Sequence, residues 1–364
     1  MDQIRAWYQH YENDLETVRR FWQGEGRYLI SIHSTAHAYR QVFDDARILQ
    51  EAPLHLEAQS GLPGLQLPAF FADWGTVSTA KYWGGQPRFD STGGNLFIDP
   101  VAQTIDQALA LRPFPAGDPS MDGFHAITLY RQLASHLGSD ALWLRSPDMQ
   151  GTLNTAGLVM NQEQLMLDMF AEKRKVHAFL ERVSGFLIEY ALYLRRASGG
   201  RVCGNIWPYA FLPDSMGVSF TEDLMPLLSP AMYREFGLPH LKKMQEALGG
   251  LLIHCCGEWG RHARNLSASG LRFLAFEFHH PCTTLAELAP LADQAVFIPH
   301  LIPHLQDVFK TAVDFYRHLL DTAPPNYRFW FPLTEDTPET LAFARENAEP
   351  FFKAAGRGVR GTWR

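Results

Sequence analysis

The chain has 364 residues, 46% hydrophobic and 20% charged, and its 32 basic against 39 acidic side chains leave a formal net charge of −7. That is the composition of a globular protein with a large core, and its mild acidity argues against the basic stripe of a nucleic-acid binder. Four cysteines (Cys203, Cys255, Cys256 and Cys282) are too few for a disulfide framework, Met1-Asp2-Gln3-Ile4-Arg5 lacks a signal-peptide pattern, and no apolar run reaches the roughly 18 residues of a membrane helix, so a reduced cytoplasm is expected.

In chain order, a helix over about residues 3–22 precedes eight short apolar runs: Tyr28–His33, Ala69–Asp73, Ala141–Arg145, Val202–Trp207, Leu251–Cys255, Arg272–Phe276, Ala295–Pro299 and Arg328–Pro332. Continuous rather than alternating runs suit parallel strands buried on both faces. Helical segments lie between them. Phe179, Val183, Phe186, Leu187, Tyr190 and Leu194 form a stripe ending at Gly199-Gly200, and Ser229-Pro230 opens a helix that Gly249-Gly250 closes. Thr284 with Glu287 resembles a capping box, and Thr337-Pro338-Glu339 opens a last helix to about Ala355. Strands followed by helices predict a (β/α)8 barrel of the TIM type, with a doubly wound open sheet as the alternative. The whole of 1–364 is read as one domain, with 1–26 a helical extension and 75–138 an insertion carrying a hairpin near Arg88–Ile98.

A barrel carries its chemistry at the carboxyl ends of its strands. Those positions hold His33, His37, Asp73, Asp148, Tyr209, Asp214, His254, Cys256, Glu277, His279, His300, His304, Glu335 and Asp336. Because alternate residues of an extended chain share a face, His254 and Cys256 can offer nitrogen and sulfur to one ion. Such a pair is half a zinc site, completed from Glu277 first, then Glu335 or Cys282. The same two residues also read as a core imidazole and a small buried hydrophobe. Asp73, between Phe70-Phe71 and Trp74-Gly75, is either an acid–base group in an apolar mouth or a turn cap.

The segments Leu227-Leu228-Ser229-Pro230-Ala231-Met232-Tyr233, Leu238-Pro239-His240 and Leu252-Ile253-His254-Cys255-Cys256-Gly257 resemble the uroporphyrinogen decarboxylase superfamily, as do Phe71-Ala72-Asp73 and Thr337-Pro338-Glu339-Thr340. The resemblance is strongest from Asp214 to Glu277. It implies a distorted (β/α)8 barrel, usually a homodimer, with the site in the barrel mouth. Two departures bear on the branch. The arginine-rich stretch that holds an octa-acid porphyrinogen is missing, since no arginine lies between Arg27 and Arg40, and the second cysteine of the methyltransferase branch is missing from Phe331–Asp336. The resemblance implies a corrinoid-linked methyltransferase, with zinc on His254 and Cys256 and a cobalamin carried on a partner protein; Glu277, which ends the adjacent strand, completes the predicted metal set. Asp73, His33, His37 and Tyr209 are then the catalytic candidates, and Trp207, Asp214, His279 and His300 the substrate or cofactor contacts. A decarboxylase of a porphyrinogen-like or smaller acid, using the charge of Asp73, is the alternative. A corrinoid or tetrapyrrole binder without activity is a third.

Overall fold

The computed structural model describes residues 2–37, 44–65, 67–72, 74–89, 96–138, 141–205 and 210–354. Its strands are β1 (Tyr28–Ile32), β2 (Ala69–Phe71), β3 (Pro87–Phe89), β4 (Leu96–Ile98), β5 (Trp143–Ser146), β6 (Val202–Asn205), β7 (Gly217–Thr221), β8 (Gly250–His254), β9 (Phe273–His280), β10 (Val296–Leu301) and β11 (Arg328–Leu333). All but β3 and β4 pair in parallel, in the orders β1-β11-β10-β9-β8-β7 and β2-β5-β6. Helices connect them, giving a barrel wall whose two arcs are joined by a few hydrogen bonds at each seam. Leu65 N–H donates to Ile30 O (3.0 Å) beside β1, while Thr221 N–H donates to Met149 O (3.1 Å) and Gly151 N–H to Thr221 O (2.7 Å), tying β7 to the chain beyond β5. The hairpin β3–β4 is antiparallel and sits where the sequence predicts one.

Each of the eight apolar runs becomes a wall strand, but the wall contains a ninth, β7, that the run pattern misses. Its sequence, Gly-Val-Ser-Phe-Thr, alternates apolar with polar and so lacks the continuous apolar signature, yet all five residues are buried. Ser219 and Thr221 are small enough to sit inside, and β6 and β7 share the wall between β5 and β8. The long predicted helix from Ser229 is also two helices, Pro230–Phe236 and Leu238–Leu248, divided at Gly237. Pro239 has no amide hydrogen with which to continue the first helix's bonding, so the second starts afresh. Thr284 and Glu287 make the expected contacts (Thr284 N–H to Glu287 Oε2, 2.8 Å), but turns and the short 3-10 segment Ala289–Leu291, with Pro290 inside it, follow instead of an α-helix.

The stripe on the helix Lys173–Ala197 is buried as its period predicts, with Phe179 and Phe186 against Trp83 and Tyr190 against Tyr82. The first helix, Asp2–Trp22, closes the amino-terminal end, where Trp22 stacks on Trp330 of β11 at 5.4 Å and 16°. Both indoles are hydrogen-bonded, Trp22 Nε1 to Phe211 O (2.8 Å) and Trp330 Nε1 to Ser31 Oγ (2.9 Å), so the rings are buried without orphaning a donor. No helix among the described residues is long and apolar enough to cross a membrane.

Gly217, the first residue of β7, lies so close to β8 that an added Cβ would stand 2.0 Å from Gly250 O. Backbone cannot move aside as a side chain can. Gly217→Ala should therefore destabilise the protein by at least about 1–3 kcal/mol, the usual cost of overpacking, read as a lowered urea midpoint.

Candidate functional site

Register brings the carboxyl-end residues of four strands together. Thr221 of β7 pairs with His254 of β8, Ile253 of β8 with Phe276 of β9, and His279 of β9 with His300 of β10. Glu277 thus falls beside His254, and its i+2 neighbour His279 projects from the same face. Glu277 has no exposed side-chain surface, His254 little (8%), Asp223 is half-buried and Cys256 is exposed.

Glu277 is the hub. One carboxylate oxygen, Oε2, contacts His254 Nδ1; the other, Oε1, lies 3.0 Å from His300 Nε2 and 3.3 Å from His279 Nε2. Burial opposes its charge, but the imidazoles of His254 and His300 outweigh burial and hold its pKa well below the usual carboxylate range. For His254 burial again disfavours the charged ring, and Glu277, the Cys256 contact and Asp223 together raise its pKa well above the ordinary histidine value. His300 goes the other way. Burial and the neighbouring His279 and His254 push it down to about 4, against the pull of Glu277.

With Nδ1 of His254 committed to Glu277, its Nε2 faces outward, 3.7 Å from Asp223 Oδ1. The same Asp223 oxygen accepts from the Cys256 backbone N–H (3.0 Å) and from its thiol Sγ (3.2 Å). Donor atoms of Asp223, His254 and Cys256 all lie within 4.8 Å of one another, and those of His254, Glu277 and His279 form a second such group. Sulfur, imidazole nitrogen and carboxylate oxygen together are a donor set suited to zinc rather than to magnesium or calcium. Glu277 behind His254 repeats the carboxylate–histidine relation that orients metal-ligating imidazoles.

Asp223 is the residue sequence reasoning missed, and it was missed because β7 was: Glu222-Asp223 is the polar end of an unrecognised strand. Glu222 turns inward. Its N–H donates to His254 O (2.8 Å), and burial together with the charge of Asp223 pushes its carboxyl up to about 8, against the backbone N–H groups of Thr152 and Leu153. Gly151 has no side chain to spare here, since a Cβ would stand 2.1 Å from Glu222 Oε1.

The other sequence candidates are dispersed. His33 lines a small cavity of about 40 Å³ with His55, Gln59, Phe71 and Arg145, between β1 and β2. His37 sits on an exposed turn with φ of 53°, its Nδ1 3.0 Å from Glu51 Oε2. Asp214 lies at the opposite end of the barrel from His254, its N–H donating to Val202 O at the start of β6 and its carboxylate paired with Arg195 Nε at 2.9 Å. Its position corrects the expectation drawn from its place near a strand end: Asp214 precedes β7 rather than following β6. Glu335 is exposed at the end of β11 and, like Cys282, belongs to neither donor group among the described residues. Asp73, Trp207 and Tyr209 lie outside the described residues.

Residues 149–303, from the chain beyond β5 through β10, match the family model of uroporphyrinogen decarboxylase (URO-D). Among solved structures the chain is similar to a methyltransferase from Methanosarcina mazei, with a TM-score of 0.60 and 11% identity over 90% of this chain and 95% of that one, a likeness of fold. A protein from Listeria monocytogenes described as a vitamin-B12 independent methionine synthase aligns with a TM-score of 0.42 and 12% identity over 85% of this chain and 86% of that one. No curated protein matches by sequence.

The raised pKa of His254 carries a pH signature. Its contribution to stability is fully present below the unfolded-state histidine pKa and is lost as pH rises through the folded-state value, by at most about 1.4 kcal/mol per pH unit. In chelator, the urea midpoint of the wild type should exceed that of His254→Gln most near pH 6, and the gap should narrow steadily towards pH 9. A gap that widens with pH would reverse the sign assigned to this group.

Proposed function

We propose that this chain, a member of the uroporphyrinogen decarboxylase superfamily, is a methyltransferase that holds zinc on Asp223, His254 and Cys256. It would move a methyl group between a small thiol or methyl donor and the cobalt of a corrinoid delivered by a partner protein, as a homodimer. The observation that carries this reading is the three-donor group at the solvent-facing end of β7 and β8, with Glu277 fixed behind His254. Zinc bound there would supply Lewis acidity, lowering the pKa of a substrate thiol or polarising a methoxyl oxygen.

The protein's own residues have separable tasks in this reading. Glu277 holds the His254 ring so that Nε2 points to the mouth, and the Cys256 backbone N–H holds Asp223 in place. His279, part-buried and bonded to Glu277 on the edge of the group, is placed to contact substrate. Cys256, exposed and on the rim, is where a bound substrate would approach. Glu277, ranked first as a ligand by sequence, takes the role of orienting His254, and Asp223 takes its place on the metal.

Purified without chelator and supplied with zinc, the protein should retain about one zinc per chain and perturb the visible spectrum of added cobalamin. Cys256→Ser and Asp223→Ala should lose the metal while remaining folded, whereas Glu277→Gln should bind it about 10–100-fold more weakly. Wild-type protein without stoichiometric zinc, or zinc retained equally in Asp223→Ala, would remove the basis of the assignment.

Uroporphyrinogen should not be decarboxylated at a meaningful rate. The chain after β1 offers no arginine between Arg27 and Arg40, and each missing charge-assisted hydrogen bond to a carboxylate costs on the order of 1.5–3 kcal/mol. Coproporphyrinogen formation measured by chromatography of the oxidised products checks this.

A further inference from the structure

The end of the barrel opposite His254 carries a cleft that the methyl-transfer reading does not use. Its volume is about 590 Å³, where the cavities beside β1 and behind β6 are of about 40 and 30 Å³. That is within the range of small-molecule sites. It lies under the amino-terminal ends of β1, β9, β10 and β11, because Arg27 precedes β1, Arg272 precedes β9, Val296 opens β10 and Arg328 opens β11.

Three arginines line it against one carboxylate, in a chain whose net charge is negative. Arg27 and Arg328 are held by backbone. Arg27 donates to Ala323 O (2.7 Å), and Arg328 donates through Nε to Gly26 O (2.9 Å) and through Nη2 to both Phe21 O and Glu25 O, with its guanidinium 4.5 Å from the Phe21 ring centre. No carboxylate among the described residues pairs with either, so their charge is fixed in place and not neutralised. Burial alone perturbs Arg328, lowering its pKa. Arg272 is exposed, and its guanidinium has no partner among the described residues. The one acid, Asp293, is bonded to Asn326 Nδ2 at 3.0 Å. Phe273, Leu274, Ala295 and Pro325 supply an apolar side to the same cleft.

We infer that this cleft is a second binding site, for a small phosphate-bearing anion with an apolar frame, of the nucleoside diphosphate class. Arg27 and Arg328 supply a preorganised positive field, and Arg272 supplies the free planar fork that phosphate oxygens accept from bidentately. The apolar side takes the ring system. Occupancy at the amino-terminal floor leaves the His254 mouth open, so the two sites bind independently of each other.

The test is equilibrium binding of ADP to the full chain at low salt without divalent cations, followed by calorimetry. ADP should bind saturably, and more weakly as salt rises, since the recognition is largely of charge. Arg272→Gln should weaken binding by about tenfold, the effect of one charge-assisted contact, and Arg272→Glu by more. Both substitutions are on the surface and should leave thermal unfolding unchanged. Stripping the protein with chelator should not alter ADP binding, which separates this site from the metal site at the mouth. Absence of saturable ADP binding, wild-type affinity in Arg272→Glu, or loss of ADP binding on metal removal would each overturn the proposal, and none of them bears on zinc binding by Cys256.

Discussion

A carboxylate buried without a charged partner costs several kcal/mol, and the site is organised around one that is buried completely. Glu277 sits inside the wall at β9, and its charge is sustained chiefly by the imidazole of His254 on β8, with those of His279 and His300 beside it. The parallel register of those strands is what delivers them. Shifting β9 by one residue would turn Glu277 out of its face and leave the imidazoles of His254 and His300 without the group that fixes them. The direction in which His254 points, and so the position of its outward nitrogen, follows from this one buried charge.

The seam beside β7 is the second determinant. β7 bonds to β8 along its whole length but, among the described residues, to the β5 side only around Thr221, where Met149 and Gly151 meet it. This arrangement lets Glu222 turn into the interior while Asp223 turns to the mouth, two adjacent acids with opposite fates. The inward one needs the space above Gly151 and keeps its proton near neutrality; the outward one is held by the Cys256 backbone. A wall strand with a small, partly polar sequence is thus what places a third donor beside the His-x-Cys pair.

The two ends of the barrel differ in chemistry. Acids, imidazoles and a thiol gather at the carboxyl ends of the strands, while Arg27, Arg272 and Arg328, with no carboxylate partner among the described residues, gather at the amino ends around the first helix. The two ends are separated by the buried interior of the barrel, to which Trp330 contributes from β11 while Phe329 and Phe331 on its other face pack outward, Phe331 against Tyr316 and Phe343. Apolar packing of this kind leaves the ends free to carry distinct sites.

The sequence by itself determined the elements whose signal is local. Eight wall strands announced themselves as continuous apolar runs, the Phe179–Leu194 stripe announced a buried helix face, and the spacing of His254 and Cys256 put two donors on one side of a strand end. The barrel followed from their alternation. What the tertiary structure alone decided was every relation that depends on register or on a strand without an apolar run. Gly217–Thr221 is buried by its neighbours rather than by its own hydrophobicity, so Asp223 could not be placed from sequence. Asp214 looked like a strand-end acid and is instead the partner of Arg195, because the chain doubles back before β7. Glu277 was legible as a carboxylate near His254, but which nitrogen it meets is fixed by how β8 and β9 slide past one another, and no local pattern encodes that.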